Sequence, residues 1–131
     1  MSLKVPQGFQ LAGVHCGIKK NPAKEDFALV QCAAGTVAAG VYTQNLVYAA
    51  PVAFDRQRTP SADIRVVAVN SGNANACTGE RGLRDAQEMA RLAALACGVD
   101  ESQALVMSTG VIGVFLPMDK LAAGAITAAA M

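Results

Sequence analysis

Hydrophobic residues along the chain form short runs with the length and composition of β-strands, separated by polar or glycine-containing links. The predicted strands are residues 27–33, 36–43, 51–54, 64–69 and 103–107. Ala34 and Gly35 join the first two runs, which predicts a β-hairpin. Pro51 opens the third run, where its missing N–H does least harm to a strand. The run at 64–69 is rich in β-branched residues and typical of a strand covered on both faces.

A helical spacing follows residue 80, where apolar residues recur at intervals of three and four. These residues are Leu83, Ala86, Met89, Ala90, Ala93 and Cys97, and Arg84, Asp85, Glu88 and Arg91 fall on the opposite face. Thr78 is the predicted N-cap, with Glu80 in the first turn, where a negative charge favours the helix dipole. Gly98 is the predicted stop. Pro117 is predicted to open a last helix.

The order of these elements is hairpin, two strands, helix, strand and helix. It predicts an α/β fold, an α+β layered sandwich, because runs of strands and helices bury their apolar faces against one another in layers. The chain has 131 residues, enough for one domain with a real core. We therefore expect residues 1–131 to form a single domain.

The composition is apolar for a chain of this size. Only 16% of the residues are charged, against roughly 25% in average soluble proteins, and the mean hydropathy is +0.32. No stretch reaches the ~18 uninterrupted apolar residues that a membrane-spanning helix needs. We therefore expect a soluble protein, not a membrane protein, with part of its surface covered by another chain.

Charge and cysteine content argue against two classes of site. The net charge is +1, the basic residues are scattered, and Trp is absent, which argues against a nucleic-acid partner. The four cysteines have no C-x-x-C spacing and His15 is the single histidine, so no metal site is expected. The cysteines are expected to be small buried hydrophobic residues in a reducing compartment. His15 is expected to be a packed or surface residue, not a catalytic base.

Two polar segments each follow a predicted strand, at residues 70–80 and 108–113. The first leads into a helix, whose N-terminal N–H groups favour an anion or an oxyanion. In the second, the Thr109 hydroxyl and the Gly110 N–H are adjacent donors, as an oxyanion hole requires. Spacing alone favours a simpler interpretation for both, in which they are ordered connections whose side chains bond their own backbone. Within this sequence no base is placed to activate a nucleophile.

The motifs themselves carry a family resemblance. Residues 70–80 (NSGNANACTGE), 108–113 (STGVIG) and 116–120 (LPMDK) resemble the ornithine acetyltransferase family, the bifunctional glutamate N-acetyltransferases of arginine biosynthesis. Residues 8–14, 17–20, 39–45 and 49–52 also resemble the sequences of this family. The likeness runs along essentially the whole chain, and the asparagine-rich segment is its most specific part.

The resemblance implies that the chain is the N-terminal part of the α chain of a self-cleaving precursor. In the family, cleavage exposes a threonine at the start of the β chain, and this threonine carries acetyl from N-acetylornithine to glutamate. No cofactor is implied, and acetyl-CoA is an alternative acetyl donor. An α2β2 heterotetramer in the cytoplasm is expected. The Ala-Thr cleavage site of the family has no counterpart in residues 1–131.

The resemblance also implies roles for individual residues. Thr109, through its hydroxyl, and Gly110, through its N–H, correspond to the oxyanion hole of the family. Asn73 and Asn75 are expected to hold the 108–113 segment by side-chain hydrogen bonds. Two pairs depart from the family pattern: His15 with Cys16, and Val114 with Phe115. The second pair lies near the proposed donors and leaves the acyl-group preference open.

Three other functions remain open at this stage. An amidase or aminopeptidase of the related self-cleaving fold would pass the acyl group to water. A non-catalytic module would bind an anion or nucleotide at the helix start, residues 78–80. A purely structural partner chain would have no site of its own.

Overall fold

Four strands form one sheet in the computed structural model, which describes residues 4–131. They are β1 (Phe9–Val14), β2 (Phe27–Cys32), β3 (Val66–Asn73) and β4 (Ala104–Val111), in the spatial order β1-β2-β3-β4. The β1–β2 and β2–β3 pairs are antiparallel, and the β3–β4 pair is parallel. A parallel pair needs a crossover connection, which a helix between β3 and β4 supplies.

Three α-helices pack on one face of the sheet. They are α1 (Ala50–Arg56), α2 (Gly79–Cys97) and α3 (Met118–Ala129), and a short 3₁₀ turn at Glu101–Gln103 precedes β4. α2 packs across β3 and β4, α3 packs across β1 and β2, and α1 lies beside β4. This layered arrangement confirms the predicted α/β fold class. None of the helices within residues 4–131 is both long and apolar enough to cross a membrane.

The hydrophobic core lies between the sheet and the helices. Alternate strand residues point towards the helices, because side-chain direction alternates along a strand. Leu29, Val66 and Val106 are therefore almost fully buried. They belong to one cluster with Met89 of α2 and Leu121 of α3. The remaining core positions of α2 are alanines, which let this helix approach the sheet closely.

The opposite face of the sheet carries no helix within residues 4–131. Leu11 and Met107 on that face are exposed, and Val67 and Val69 are half-buried. The prediction that the run at 64–69 is covered on both faces therefore fails within the described residues. The low charge content of the chain has its structural counterpart in this open apolar face.

The predicted hairpin is wrong in its second strand. Residues 27–33 do contain β2, but β2 pairs with β1 on one side and β3 on the other. β1 was not predicted, and it occupies the edge that residues 36–43 would have needed. Residues 36–43 are irregular apart from one bridge between Ala38 and Ser61.

Residues 51–54 form part of α1 and not a strand. An apolar run of four residues cannot distinguish a strand from a helix by its periodicity. Pro51 lies in the first turn of α1, where its missing N–H has no intrahelical partner to lose. The helix lies beside the edge strand β4, and the carboxylate of Asp55 accepts a hydrogen bond from the N–H of Val106 at 3.1 Å.

The predicted helix after residue 80 is confirmed as α2, with three corrections. Leu83 is 47% exposed, because it lines a surface groove with Leu46 and Tyr48 instead of the core. Asp85, predicted to be on the polar face, is buried. Thr78 occupies the N-cap position, but its side chain caps no helical N–H. Gly98 ends the helix in the left-handed conformation, with φ of 65°, as predicted.

Candidate active site at the carboxyl ends of the parallel strands

The two polar segments meet at the carboxyl ends of β3 and β4. Each was predicted as a loop after its strand, but the strand pairing continues as far as Asn73 and Val111. Thr109 lies opposite Ser71 and Gly110 opposite Gly72 in the parallel register. Pairing with each other satisfies the backbone groups of both segments, which explains why they extend the strands. Ligands commonly bind at this end of parallel strands in α/β sheets.

Two facing glycines allow an unusually close approach of the two backbones. Gly110 has φ of 135°, and a Cβ added to it would lie 2.3 Å from the carbonyl carbon of Gly72 and 2.5 Å from the nitrogen of Asn73. A Cβ on Gly72 would in turn lie 2.8 Å from the Cγ2 atom of Ile18. Only glycine fits at these positions, so the peptide of Gly110 is wedged against its neighbour.

The Thr109 side chain points to the open face of the sheet. Its neighbour Ser108 shares the helix-facing side with buried Val106, and side chains alternate along a strand. Thr109 is exposed, on the same face as Met107. Its hydroxyl is therefore accessible to a ligand or to a second chain.

Asn73 joins the ends of the two segments, although not through the residues that we predicted. β3 bulges at Asn73, which pairs with both Thr109 and Val111. Its buried side-chain amide donates to the carbonyl oxygens of Val114 and Phe115, each at 3.0 Å. These carbonyls lie just beyond the 108–113 segment. The main chain holds the segment itself, since the N–H of Ala74 donates to Val111 O at 2.9 Å.

Asn75 ties the end of β3 to the start of α2, and its side chain does not bond residues 108–113, contrary to our prediction. Its backbone N–H donates to the Oδ1 of Asn73 at 2.8 Å, and its amide donates to the carbonyl of Gly82 at 2.9 Å. The hydroxyl of Thr78 donates to Asn75 Oδ1 at 2.8 Å. Asn75 also has a positive φ of 47°, a conformation that asparagine tolerates better than most residues. Asn73 and Asn75 therefore form a buried chain of hydrogen bonds between β3 and α2.

A buried carboxylate, which we did not predict from the sequence, organises the loop beside Gly72. Asp26 is 2% exposed and accepts hydrogen bonds from the N–H groups of Cys16 at 2.7 Å and Lys19 at 2.8 Å. His15 Nδ1 lies 3.1 Å from its Oδ2. Burial alone would raise the pKa of Asp26, but these bonds and His15 outweigh it and lower the pKa. The carbonyl of Asp26 also accepts from the N–H of Ser71.

Comparison with known proteins places the site within a family. The model of the ArgJ family matches residues 10–131, a range that includes every polar residue described above. The chain belongs to the ArgJ family. The match confirms the resemblance inferred from the motifs at 70–80 and 108–113.

ArgJ proteins are similar to the chain in both sequence and structure. The arginine biosynthesis bifunctional protein ArgJ of Symbiobacterium thermophilum is 56% identical over 126 residues, which cover 95% of this chain and 31% of that protein. The crystal structure of ornithine acetyltransferase complexed with ornithine from Mycobacterium tuberculosis is 42% identical with a TM-score of 0.90, and the match covers 95% of this chain and 67% of that one. The ArgJ structure from Bacillus halodurans is 40% identical with a TM-score of 0.85, covering 92% and 62%.

The chain spans 31% of the length of the Symbiobacterium ArgJ. Residues 4–131 contain no group of three His, Cys, Asp or Glu side chains arranged to hold a metal ion. The described residues offer a hydroxyl and an adjacent backbone N–H near the end of β4, beside an open apolar face.

Proposed function

We propose that this chain supplies one half of a split active site in an N-acetyltransferase that moves acetyl from N-acetylornithine to glutamate. The observation that carries the proposal is the placement of Thr109 and Gly110 in a chain of the ArgJ family. Their hydroxyl and N–H lie at the end of β4, next to the open face, and we assign them to the oxyanion hole. The chain is then part of an α chain, and the nucleophile is the N-terminal threonine of the β chain from the same precursor.

The two donors act on the oxygen of the acetyl group. The hydroxyl oxygen of the β-chain threonine attacks the acetyl carbonyl carbon, and the amino group of that threonine takes the hydroxyl proton. The carbonyl oxygen becomes an oxyanion, to which Thr109 and Gly110 donate. The C–N bond then breaks, the proton passes to the departing nitrogen, and ornithine leaves. Glutamate attacks the acetyl-threonine ester through its amino nitrogen, and the threonine oxygen leaves with a proton.

A rigid backbone is what this role requires. A donor lowers the barrier most when it is already aimed at the developing charge, because no reorganisation is then needed during the reaction. Gly110 is wedged against the Gly72–Asn73 peptide. Asn73 ties β3 to the turn just beyond residues 108–113, Asn75 ties the end of β3 to α2, and we assign both a supporting role.

The open face is the proposed contact surface for the β chain. Exposed apolar side chains continue from the sheet into the turn after β4, with Met107 56%, Val111 59% and Ile112 63% exposed. Such a contiguous apolar surface favours burial against another protein segment. A β chain seated there would carry its threonine to the hydroxyl of Thr109. We propose the α2β2 assembly of the family for the complete enzyme.

The remaining proposals concern ligands and location. The substrates are N-acetylornithine and glutamate. This exchange needs no cofactor, because acetyl arrives on the donor amine, and acetyl-CoA is an alternative acetyl donor. We propose the cytoplasm as the compartment, since the four cysteines are free thiols and suit a reducing environment.

Two observations weigh against the other functions. The hydroxyl of Thr78 donates to Asn75, so at the start of α2 it is not free to bind an anion. The close Gly72–Gly110 contact supports a positioned site more than a purely structural chain. The hydrolase alternative differs only in the acceptor of the acyl group, which is water instead of glutamate. An activity assay with and without glutamate distinguishes the two.

The test uses the full-length protein. Intact mass and N-terminal sequencing of the purified preparation should find a companion chain that begins with threonine. Incubation with N-acetylornithine should then release ornithine continuously only when glutamate is present, with N-acetylglutamate formed in equal amount. Continuous ornithine release without glutamate would identify a hydrolase. A preparation that lacks a threonine-initiated chain yet turns over would overturn the split-site proposal.

A further inference from the structure

A second asparagine lies beneath the proposed donors and has no role in the mechanism above. Asn70 is fully buried in β3, on the helix-facing side of the sheet with Val66 and Ala68. It lies directly opposite Ser108 in the parallel register. Ser108 immediately precedes Thr109, but its side chain points to the other face of the sheet. Asn70 can therefore influence the donors only through the backbone.

The amide of Asn70 holds the peptide segment against which Gly110 is wedged. Its Nδ2 donates to the carbonyl oxygen of Asn73 at 2.8 Å, and this bond spans the bulge where the register of β3 shifts. The partner is a carbonyl, which can only accept, so the bond fixes which end of the amide is the donor. Asn73 O belongs to the Asn73–Ala74 peptide, so the bond holds the peptide that directly follows the Gly72–Asn73 peptide, against which Gly110 packs.

The other end of this amide makes no hydrogen bond. Asn70 Oδ1 and Ser108 Oγ are both buried, and neither has a hydrogen-bond partner within residues 4–131, so the two atoms are not bonded to each other. Asn70 therefore holds the neighbouring backbone through its amide nitrogen alone.

We propose that Asn70 is a positioning residue for the Gly110 donor, because its amide nitrogen holds Asn73 O at the end of β3. The inference rests on the proposed function for its catalytic consequence. The bond fixes the end of β3, against which Gly110 of β4 packs.

The decisive variant is Asn70→Asp in the full-length protein, because it keeps the shape and the oxygen but removes the donor to Asn73 O. We expect kcat per active site to fall about tenfold or more, with the KM for N-acetylornithine nearly unchanged, because misplaced donors act on the transition state. Active sites are counted by intact mass as acetylated β-chain threonine. Amide hydrogen exchange at Gly110 should become faster.

Asn21→Asp is the matched control. Asn21 is exposed, and its Oδ1 accepts from the N–H of Ala23, a bond that aspartate keeps. We expect unchanged kcat and unchanged Gly110 exchange in this variant. If Asn70→Asp does not accumulate as folded protein, Asn70→Leu, which also removes the donor to Asn73 O but buries no charge, is judged by the same two measurements.

Two results separate this inference from the proposed function. A lower thermal midpoint for Asn70→Asp, with unchanged kcat and unchanged Gly110 exchange, would show that Asn70 only stabilises the fold and would overturn the inference. Full turnover in Thr109→Ala would instead overturn the oxyanion-hole assignment. In that event the exchange rate of Gly110 alone decides whether Asn70 positions it.

Discussion

Gly110 and Gly72 face each other at the ends of the two parallel strands, so close that a Cβ on Gly110 would stand 2.3 Å from the Gly72 carbonyl carbon. A side chain at position 110 would therefore collide with backbone atoms, and rotating a side chain could not relieve that collision. The two backbones can lie this close because neither residue has a side chain.

Gly110→Ala should therefore abolish acetyl transfer. The new methyl group must displace the Gly72–Asn73 peptide, and φ of 135° disfavours alanine as well. We expect kcat to fall by at least ~10², in line with the loss of a donor from an oxyanion hole. Gly35→Ala is the control, since Gly35 also has a positive φ but nothing lies within 4 Å of its added Cβ. A Gly110→Ala enzyme that retains its kcat would contradict the donor role of this peptide.

Thr109→Ala removes only a hydroxyl on the open face. We expect kcat to fall by ~10²–10³ with little change in the thermal midpoint, because Thr109 is exposed and supports no core contact. Self-cleavage of the precursor should slow if the same donors serve that step. Thr127→Ala, which removes an exposed hydroxyl on α3, should leave steady-state turnover intact. Equal turnover in both variants would remove Thr109 from the mechanism.

Asn73→Ala should lower both stability and activity. The variant loses the donor to the carbonyls of Val114 and Phe115 and the acceptor for Asn75 N–H. One buried and two partly buried hydrogen bonds, at about 1 kcal/mol each, give an expected loss of about 2–4 kcal/mol. Asn73→Asp keeps the acceptor and loses only the donor, so it should be intermediate. If the alanine variant cleaves itself, turns over and melts as the wild type does, residues 70–80 only connect β3 to α2.

Asp26 should contribute stability that depends on pH. Its folded-state pKa lies below the ordinary value of 3.8, so the unfolded state takes up the proton first as pH falls. The contribution is complete well above pH 3.8 and is lost as pH falls through the folded-state pKa. Asp26→Asn should lower the thermal midpoint at pH 7, because one N–H of Cys16 or Lys19 then faces an amide NH2. The difference from wild type should shrink on acidification; a difference that grows would contradict this assignment.

Asp55 should behave in the opposite sense. Burial raises its pKa to about 6, against the bond from Val106 N–H and the charge of Arg58. The native state therefore keeps a proton that the unfolded state has lost, and this group's contribution to stability falls as pH rises from about 4 to about 6. Asp55→Asn keeps the acceptor for Val106 without the charge. It should be more stable than wild type at pH 8, by an amount of the order of 2 kcal/mol, and equal to it near pH 4. Thermal melts of both proteins across this pH range are the measurement. A stability difference between Asp55→Asn and wild type that does not change with pH would contradict the raised pKa of Asp55.

Sequence patterns predicted the elements whose periodicity is long or whose residues are strongly β-forming. α2 has several turns of regular apolar spacing, and the central strand is a nearly unbroken β-branched run. The strand predicted at 51–54 failed, because four apolar residues fit a helix as well as a strand. β1 was missed because its first three residues are all exposed, so its sequence lacks the run of buried apolar residues that marks the other strands.

The site was predictable at the level of residue types but not of contacts. Small polar residues after two strands indicated the two segments, and their family resemblance indicated Thr109 and Gly110. The sequence could not show that Asn73 reaches Val114 and Phe115, since the side chain crosses 41 and 42 positions of the chain. The role of Asp26 could not be predicted either, because its partners Cys16 and Lys19 lie ten and seven positions away in the chain. Its position directly before a buried strand was a usable signal.

The edge strand β4 also poses a hazard that α1 reduces. Within residues 4–131 nothing pairs with the outer side of this strand, and unpaired edge N–H groups can recruit a strand from another molecule and start aggregation. Asp55 occupies the N–H of Val106, three positions before Thr109. A carboxylate there also repels the carbonyl oxygens of an incoming strand. One edge N–H of β4 is thereby unavailable to an incoming strand.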